Sequence, residues 1–421
     1  MNHFIEVANR VIALIFTVAY FYQIVYIFVA LLKKPKKYPE TDQSKKYAVL
    51  ISARNEEAVL GNLLDSINNQ DYPSDNITVF VVADNCTDNT AAVAEQHGAK
   101  VYTRFNHNQV GKGFALEYLM QKIDEEYSFE SFEGFFVFDA DNVLMPDYIT
   151  QMDRAHCAGY ESLTSYRNSK NFADNWISSG YAIWFLREAK YLNNPRSILG
   201  TSCSISGTGF FISSKVAREN EGWKYFLLTE DIEFSTDQMI RGEKIGYCHD
   251  AMFFDEQPTE FSQSWRQRLR WSKGFFQILH SYGGKLVKGV MKGKYACLDM
   301  LLYIAPAFIL TTAQVILAIT NIIFALVTGN FTWGLVLTSV FFFVYAYALM
   351  WIYGILVLIT ERKKIICPTW KLILYSLTFP LFMFTYLPIT WEALFKKVKW
   401  DPVKHTQNKK ASELKEIIDK Q

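Results

Sequence analysis

The sequence predicts an α/β domain that is built on a mostly parallel sheet and flanked by membrane-spanning helices. Between residues 47 and 139, short runs rich in β-branched and aromatic residues alternate with stretches that have the apolar spacing of helices. Outside that region, residues 11–32, 300–327 and 333–360 contain no charged side chain. Each of these runs exceeds the ~18 apolar residues that indicate a membrane span.

The chain accordingly divides into five regions. They are an N-terminal anchor with its basic flank at 1–37, a cytosolic domain at 38–258, interfacial amphipathic helices at 259–297, a C-terminal transmembrane region at 298–395 and a polar, basic tail at 396–421. The first apolar run is longer than the ~7 to 15 apolar residues of a signal peptide, so we expect an uncleaved anchor.

Lysine and arginine cluster beside the three apolar runs, at 33–37, 285–294 and 362–364. Because the cytoplasmic flanks of membrane spans carry the excess of positive charge, these clusters place residues 38–297 in the cytosol. We therefore expect a multi-pass protein of a bacterial cell membrane with its main domain on the cytosolic side.

One apolar segment has no single prediction. Residues 372–390 are interrupted by Pro380 and Pro388. The segment could be a kinked span, a re-entrant hairpin or a helix in the membrane interface. The side of the membrane on which the tail lies stays open with it.

Charge and cysteine content exclude several classes of function. The net charge of +1 argues against a nucleic-acid partner. The six cysteines form no CxxC pair, so neither a disulfide framework nor a zinc site is indicated.

The predicted sheet has polar side chains where its strands end. Strands are predicted at 47–53, 77–83, 101–103 and 135–138, with helices near 57–69, 90–97 and 114–123 between them. Ligands bind such sheets at the carboxyl ends of the strands. Asp139 and Asp141 follow the fourth strand, and their mutual repulsion is a cost that a bound divalent cation would remove. Helix capping explains Asn55, Asp88 or Asn89 equally well, but it does not explain this pair.

Two glycine-containing loops are candidate substrate contacts. The stretch 106–113 lacks two residues that a phosphate-binding P-loop requires. Lys112 at a helix start can still meet a diphosphate, although a plain turn explains it nearly as well. Gly207, Thr208 and Gly209 would let a sugar ring approach the backbone, although an ordinary turn is by itself the better explanation.

Glu230 and Asp231 are adjacent acids between apolar flanks. A carboxylate that is partly buried in a cleft there is a candidate general base. A helix N-terminus capped by Thr229 is fully compatible with that role.

Residues 265–274 combine aromatic and cationic side chains just before the membrane. Phe261, Trp265 and Leu269 recur at helical spacing, which is typical of a helix lying on a membrane surface. The same stretch supplies arginines that could bind a diphosphate, and Trp271, on which a sugar could stack. Both interpretations can hold together.

Taken in order, these motifs resemble a known family. Asp84, the pair Asp139 and Asp141, the sequence 229–231 and the sequence 267–271 match the D, DxD, TED and Q(Q/R)xRW signatures of membrane-bound family 2 glycosyltransferases. These include the processive cellulose, hyaluronan, chitin-oligosaccharide and poly-N-acetylglucosamine synthases. The resemblance covers about residues 45 to 275.

The resemblance implies a GT-A (Rossmann-like) fold, a UDP-sugar donor, Mg²⁺ or Mn²⁺, and inversion at the anomeric carbon. It implies metal binding by Asp139 and Asp141, catalysis by Asp231 with Glu230 beside it, and acceptor binding by Trp271 with the loop of Gly207, Thr208 and Gly209. The residues implied in donor binding are Ala53, Glu56, Asp84, Lys112, Asp139, Gln267, Arg268 and Arg270.

The leading hypothesis is a synthase that extends a β-linked polysaccharide, with N-acetylglucosamine or glucose as the sugar. The alternative is the addition of one sugar to a lipid or polyprenyl acceptor. Trp271 favours the first, and the small number of predicted spans favours the second. A non-catalytic scaffold or a transporter subunit is a third class, which would make the acidic motifs incidental. Expected partners are the donor, the acceptor, the bilayer and, for secretion or regulation, further subunits.

Overall fold

A computed structural model describes residues 2–329 and 333–419 of the chain. The strands are β1 (Tyr47–Ala53), β2 (Ile77–Asp84), β3 (Lys100–Arg104), β4 (Gly134–Asp139), β5 (Val143–Leu144), β6 (Ser162–Ser169), β7 (Phe210–Ser213) and β8 (Ile245–Asp255). The helices of the first 260 residues are α1 (Asn2–Leu32), α2 (Leu60–Asn68), α3 (Thr90–Gln96), α4 (Lys112–Tyr127), α5 (Tyr148–Cys157), α6 (Trp176–Glu188), α7 (Asn194–Leu199), α8 (Ser214–Glu219) and α9 (Glu230–Arg241). The later helices are α10 (Phe261–Met291), α11 (Tyr295–Ile304), α12 (Pro306–Val327), α13 (Trp333–Thr360), α14 (Thr369–Phe384), α15 (Tyr386–Phe395) and α16 (Ala411–Asp419).

The strands form one mixed sheet in the order β3-β2-β1-β4-β7-β6-β8-β5. The first four are mutually parallel, as the alternation of strands and helices predicts. β7 then runs antiparallel to both β4 and β6. The carboxyl ends of β1 and β4 are adjacent in this register, with Ser52 opposite Asp139.

Alternate residues of β1 pack into different cores on the two faces of the sheet. Ala48 and Leu50 join a cluster that includes Leu116 of α4. Val49 lies in the cluster on the opposite face, with Leu63 of α2. Because helices cover both faces, the parallel strands are nearly continuous apolar runs, and this is why their positions could be predicted.

The apolar run 300–327 forms two helices rather than one. α11 ends at Ile304, and α12 begins at Pro306. Proline has no backbone N–H and is tolerated in the first turn of a helix, so it starts α12 and cannot continue α11. Asp299 fixes α11 to the sheet domain, because its buried carboxylate accepts hydrogen bonds from Tyr26 of α1 (2.8 Å) and Arg196 of α7 (2.8 Å).

The α14–α15 segment starts against the sheet domain and ends against α10, where Lys273 donates a hydrogen bond to the carbonyl of Ala393 (3.0 Å). Near its start, Lys371 donates a hydrogen bond to the backbone carbonyl of Ala173 (2.7 Å). Beyond its end, the tail returns to the sheet domain, where Asn408 accepts a hydrogen bond from Asn62 (2.7 Å). Thr385 separates α14 from α15, so the segment is not one continuous helix. Two described helical segments, Phe343–Thr360 and Thr369–Phe395, have the length and composition of a membrane span.

Candidate active site

One cavity of about 430 Å³ brings residues of three of the four sequence motifs together. It begins at the carboxyl ends of β1 and β4 and reaches the helices α13, α14 and α15. Its lining includes the predicted residues Glu56, Lys112, Asp139, Asp141, Gly207, Glu230, Asp231, Gln267, Arg270 and Trp271. Residues that are up to 215 positions apart in the sequence therefore share one chamber.

Asp139 is held at the end of β4 by the neighbouring loops. Its backbone N–H donates to the hydroxyl of Thr208 (2.8 Å). Its carboxylate pairs with the ammonium of Lys112, which also donates to the carbonyl of Gly207 (2.8 Å). Lys112 is the first residue of α4, where helix geometry aims it back at the strand end. The lysine is thus positioned beside the acidic pair, where an anionic substrate group would meet it.

Asp141 is a buried carboxylate that stays ionised. Its Oδ2 accepts a hydrogen bond from the backbone N–H of Glu256 (2.7 Å). Burial opposes the charged form, but the positive charges of His405 and Lys170 outweigh it and hold the pKa of Asp141 below its usual value.

The acidic pair fits a divalent cation only together with a substrate. Among residues 2–329 and 333–419, no three His, Cys, Asp or Glu side chains are grouped so that they alone could hold a metal ion. Mg²⁺ commonly takes one or two carboxylates and completes its shell with phosphate oxygens and water. Asp139 and Asp141 match that donor set.

The second acidic pair lies at the start of α9. Burial, and then the charge of Asp231, raise the pKa of Glu230 to about 7. Burial also raises the pKa of Asp231. Thr229 occupies the N-cap position, but its side chain makes no capping hydrogen bond. It packs instead against Gly274 of α10, where a Cβ atom would come within 2.4 Å of the Thr229 hydroxyl oxygen. Close packing of α9 on α10 thus fixes the positions of Glu230 and Asp231 at the cavity.

Helix α10 presents one face to the cavity. Gln267, Arg270 and Trp271 line it, as expected for positions three and four residues apart. Arg270 donates to the carbonyl of Leu228 (3.1 Å), and the Trp271 ring packs edge-on against Tyr181. The carbonyl oxygen Oε1 of Gln267 is buried and has no hydrogen-bond partner within the described part of the chain.

Arg268 points away from the cavity. Its guanidinium donates to the carbonyl of Phe382 (3.1 Å) and to the hydroxyl of Thr385 (2.6 Å), and its side chain is fully buried. One residue along a helix is a rotation of about 100°, which turns Arg268 away from Gln267 and toward α14. The donor-binding role predicted for Arg268 does not fit this placement.

The family is decided by a match over more than half of the chain. The sequence model described as "Glycosyltransferase like family 2" matches residues 44–274. This chain belongs to glycosyltransferase family 2. Its fold is the GT-A (Rossmann-like) fold predicted from the sequence.

Relatives of this glycosyltransferase include enzymes with different named products. A "Beta-monoglucosyldiacylglycerol synthase" of Synechocystis is 26% identical over 273 residues, which are 63% of this chain and 55% of that relative. A "Poly-beta-1,6-N-acetyl-D-glucosamine synthase" of Staphylococcus epidermidis is 24% identical over 57% of each chain. This chain thus spans little more than half the length of these relatives.

A solved structure shares the fold over almost its whole length. It is a mannosyltransferase from Pyrobaculum calidifontis in complex with GDP-Man and Mn²⁺. The TM-score is 0.58 at 15% sequence identity, covering 92% of this chain and 98% of that one.

Ala53 and Asp84 of the glycosyltransferase lie outside the cavity lining. Asp84 is buried and pairs with Arg104 (2.6 Å), and the carbonyl of Ala53 accepts a hydrogen bond from the thiol of Cys86 (3.4 Å). At this edge, Arg54 lines the cavity instead. The donor contacts predicted for Ala53 and Asp84 therefore stay predictions.

Of the three residues in the predicted acceptor loop, only Gly207 lines the cavity. Its φ of 79° favours glycine, and a Cβ atom there would lie 3.9 Å from Oδ2 of Asp231. Thr208 is buried and supports Asp139, and a Cβ at Gly209 would come within 2.1 Å of the Phe253 ring. Thr208 and Gly209 thus shape the loop.

Sequence reasoning missed the contribution of the C-terminal tail. Trp400 and His405 line the cavity. The Nδ1 of His405 lies 3.0 Å from a carboxylate oxygen of Glu56. Burial disfavours the charged imidazole, but Asp141 and Glu56 outweigh it and raise the pKa of His405 to about 10. Trp400 lies under the guanidinium of Arg54, 5.4 Å from its ring centre. A basic, polar tail gives no periodic signal for such contacts.

Proposed function

We propose that this glycosyltransferase is a membrane-bound enzyme that transfers a sugar from a UDP-sugar to a hydroxyl group of a lipid acceptor. The observation that carries the proposal is the continuity of the cavity. One end holds the acidic and basic groups that a nucleotide-sugar requires, and the other is walled by apolar side chains of α13, α14 and α15.

The charged end suits a sugar diphosphate. Lys112 and Arg270 place positive charge beside the carboxylates of Asp139 and Asp141. Arg54 and Trp400 supply a flat cation and an indole at the same edge, which suits a nucleobase. A divalent cation, Mg²⁺ or Mn²⁺, held there by Asp139 and Asp141 would add positive charge opposite the diphosphate.

Asp231 is placed to act as the general base. Its carboxylate takes the proton of the acceptor hydroxyl, whose oxygen then bonds to the anomeric carbon. The bond from that carbon to the diphosphate breaks with its electron pair, and the nucleoside diphosphate leaves. Lys112 and Arg270 stabilise the negative charge that develops on it. A single displacement of this kind inverts the anomeric configuration.

The apolar end suits a hydrocarbon chain. Met350 of α13, Phe384 of α14 and Leu387 of α15 form part of its wall. Each buried CH₂ group of an acceptor would contribute about 0.8 kcal/mol of binding. The relative named as a β-monoglucosyldiacylglycerol synthase carries a lipid acceptor in its name, which supports this choice.

The arrangement of the helices supports a multi-pass protein. We place α1, α12 and α13 across the bilayer and the α14–α15 segment as a hairpin that returns to the cytosolic face. This assignment accounts for the lysines at 396–404, which belong inside by the positive-inside rule. The sheet domain and the tail then lie on the same side.

Extension of a β-linked polysaccharide is the second candidate. Trp271 favours it, because its indole lines the same cavity as Asp231 and offers a surface on which an acceptor sugar can stack. A relative named as a poly-β-1,6-N-acetyl-D-glucosamine synthase agrees with that role.

The experiment that distinguishes these two candidates measures the size of the reaction product. The purified full chain, in lipid vesicles with Mg²⁺ or Mn²⁺, is incubated with labelled UDP-glucose, UDP-N-acetylglucosamine or UDP-galactose. A single labelled sugar on an organic-soluble lipid supports the first proposal, and a water-soluble ladder of long chains supports the second. The absence of transfer from every donor, in repeated preparations that are folded, would contradict both.

A further inference from the structure

A buried carboxyl group on the cavity wall has no role in the proposed sugar transfer. Glu188 is the last residue of α6, is only 3% exposed and lines the cavity. Its Oε1 accepts a hydrogen bond from the hydroxyl of Ser206. Its Oε2 has no hydrogen-bond partner among the residues that the structure describes. This oxygen is not one of the fully buried unpaired atoms of the described chain, so it is open to the cavity that Glu188 lines, where a ligand could supply a hydrogen bond.

The neighbouring arginines do not account for this carboxyl group. Arg167 pairs with Asp255, and Arg196 pairs with Asp299. Both lie close enough to influence Glu188 electrostatically, but neither is within ion-pair distance of it in the described chain. Burial raises the pKa of Glu188, and the arginines oppose that rise without occupying its free oxygen.

Glu188 and the proposed base face the same part of the cavity. The loop at 206–207 lies beside both of them: the hydroxyl of Ser206 bonds to Glu188, and a Cβ atom on Gly207 would lie 3.9 Å from Oδ2 of Asp231. Tyr303, at the end of α11, also lines the cavity and lies within electrostatic range of both carboxyl groups.

The surroundings of Glu188 belong to the acceptor end. Trp184 and Phe185, one turn earlier on α6, line the cavity beside it. The Phe185 ring lies 6.1 Å from that of Trp271, and the Trp184 ring lies 6.3 Å from that of Tyr386 in α15. Glu188 therefore stands where aromatic walls lead from Asp231 toward the membrane helices.

We propose that Glu188 binds the acceptor by accepting a hydrogen bond from a second hydroxyl of its head group, while Asp231 deprotonates the first. The inference rests on the proposed function and deepens it. It selects lipids whose head groups carry several hydroxyls, such as a sugar, over lipids with a single hydroxyl.

The test compares two acceptors that share the same acyl chains. Dioleoylglycerol has one hydroxyl, and glucosyl-dioleoylglycerol has several. With the full chain in detergent and the UDP-sugar that it turns over, the wild type should have the higher kcat/KM for the glucosylated lipid. Glu188→Gln should raise KM for that lipid about tenfold and remove the preference, because a charged hydrogen-bond acceptor is lost. The KM of the donor should not change.

A matched control separates this role from burial. Glu361 is equally buried at 3% exposure but lies outside the cavity lining, where it accepts a hydrogen bond from Tyr166 (2.5 Å). Glu361→Gln should change the melting temperature and leave the acceptor preference intact. If Glu188→Gln does not fold, Ser206→Ala should raise the acceptor KM in the same direction by a smaller factor.

The proposed function and the role of Glu188 fail with different experimental results. No transfer by the wild type contradicts the proposed function. Transfer with the same acceptor preference in wild type and Glu188→Gln overturns this inference alone. A rise in the donor KM with an unchanged acceptor KM also overturns it, because the free oxygen would then serve the donor sugar.

Discussion

At the residue scale, two adjacent carboxyl groups at the start of α9 control the proposed proton transfer. Glu230 is buried and the adjacent Asp231 is half-buried, so ionising both is costly and their protons come off as a coupled pair. The pKa of Glu230 is raised to about 7, first by burial and then by Asp231. A base that must lose a proton in this range works poorly in mild acid.

We expect kcat/KM for transfer to rise with pH and to level off above about pH 7, because raised pKa values keep the pair protonated below that point. Glu230→Gln should move the rising part of this pH profile to lower pH, since it removes the neighbouring negative charge that opposes ionisation of Asp231. A pH profile of initial rates measures both effects. If the rise of kcat/KM with pH is unchanged in Glu230→Gln, another group controls that rise.

Asp231→Asn should reduce kcat by at least about 100-fold, the usual scale for loss of a general base. Binding of UDP, measured by calorimetry, should stay within about twofold of the wild type, because the amide keeps the shape of the side chain. Asp75→Asn, at an exposed aspartate, is the matched control and should behave as the wild type. Equal turnover in Asp231→Asn would refute the base assignment.

Two neighbouring arginines should respond differently to substitution. Arg270→Ala should lower kcat/KM by about 10-fold to 100-fold with little change in melting temperature, since it loses a charged contact to the leaving group. Arg268→Ala should instead cost about 1–3 kcal/mol of stability, because it removes the buried hydrogen bonds to the Phe382 carbonyl and the Thr385 hydroxyl. Thermal unfolding and kinetics on both variants separate the roles; a reversed pattern would contradict the orientation of α10.

At the scale of elements, residues 396–419 of the tail form a strap, meaning a segment that crosses the proposed donor end of the cavity. It is pinned at one point by His405 and Glu56 and at another by Leu414, which is fully buried against Val143 and Phe254. The second point lies outside the cavity lining, so the strap can be released without altering a cavity residue.

Leu414→Asp should release the strap, because a charge is strongly disfavoured in that apolar contact. We expect faster proteolysis of the tail and a rise of about threefold to tenfold in the donor KM, corresponding to about 1 kcal/mol. Ile417→Asp, at an exposed apolar position on the same helix, is the control. A released tail with an unchanged donor KM would mean that the strap does not contribute to donor binding.

At the scale of the whole molecule, the proposed topology depends on the return of the α14–α15 segment to the side of the sheet domain. Lys371 contacts the sheet domain before it, and the tail contacts the same domain after it. Arg268 of α10 bonds to the break between these helices and so holds the hairpin in place.

A reporter at the C-terminus should therefore face the same side of the membrane as the sheet domain, and one at the N-terminus should face the opposite side. Protease protection of tagged protein in sealed inverted vesicles and in spheroplasts measures both positions. A C-terminal tag protected together with the N-terminal one would show that the segment crosses the bilayer.

Local sequence patterns determined the strands and the acidic motifs at their ends. β1, β2 and β4 are largely buried, so their apolar runs were visible in the sequence, whereas β3 is a more exposed edge strand. Parallel pairing brings the carboxyl ends of these strands to one edge. The cavity-facing side of α10 follows from residues three and four apart, although the resemblance also included Arg268, which lies a third of a turn away.

Only the tertiary structure decided which distant side chains complete the site. His405 meets Glu56 across 349 positions, and Asp84 is paired with Arg104. Glu188 reaches the cavity because α6 ends beside the loop of Ser206. Periodicity and motifs report the local backbone, whereas contacts between segments far apart in the chain depend on how the elements pack, which no local pattern encodes.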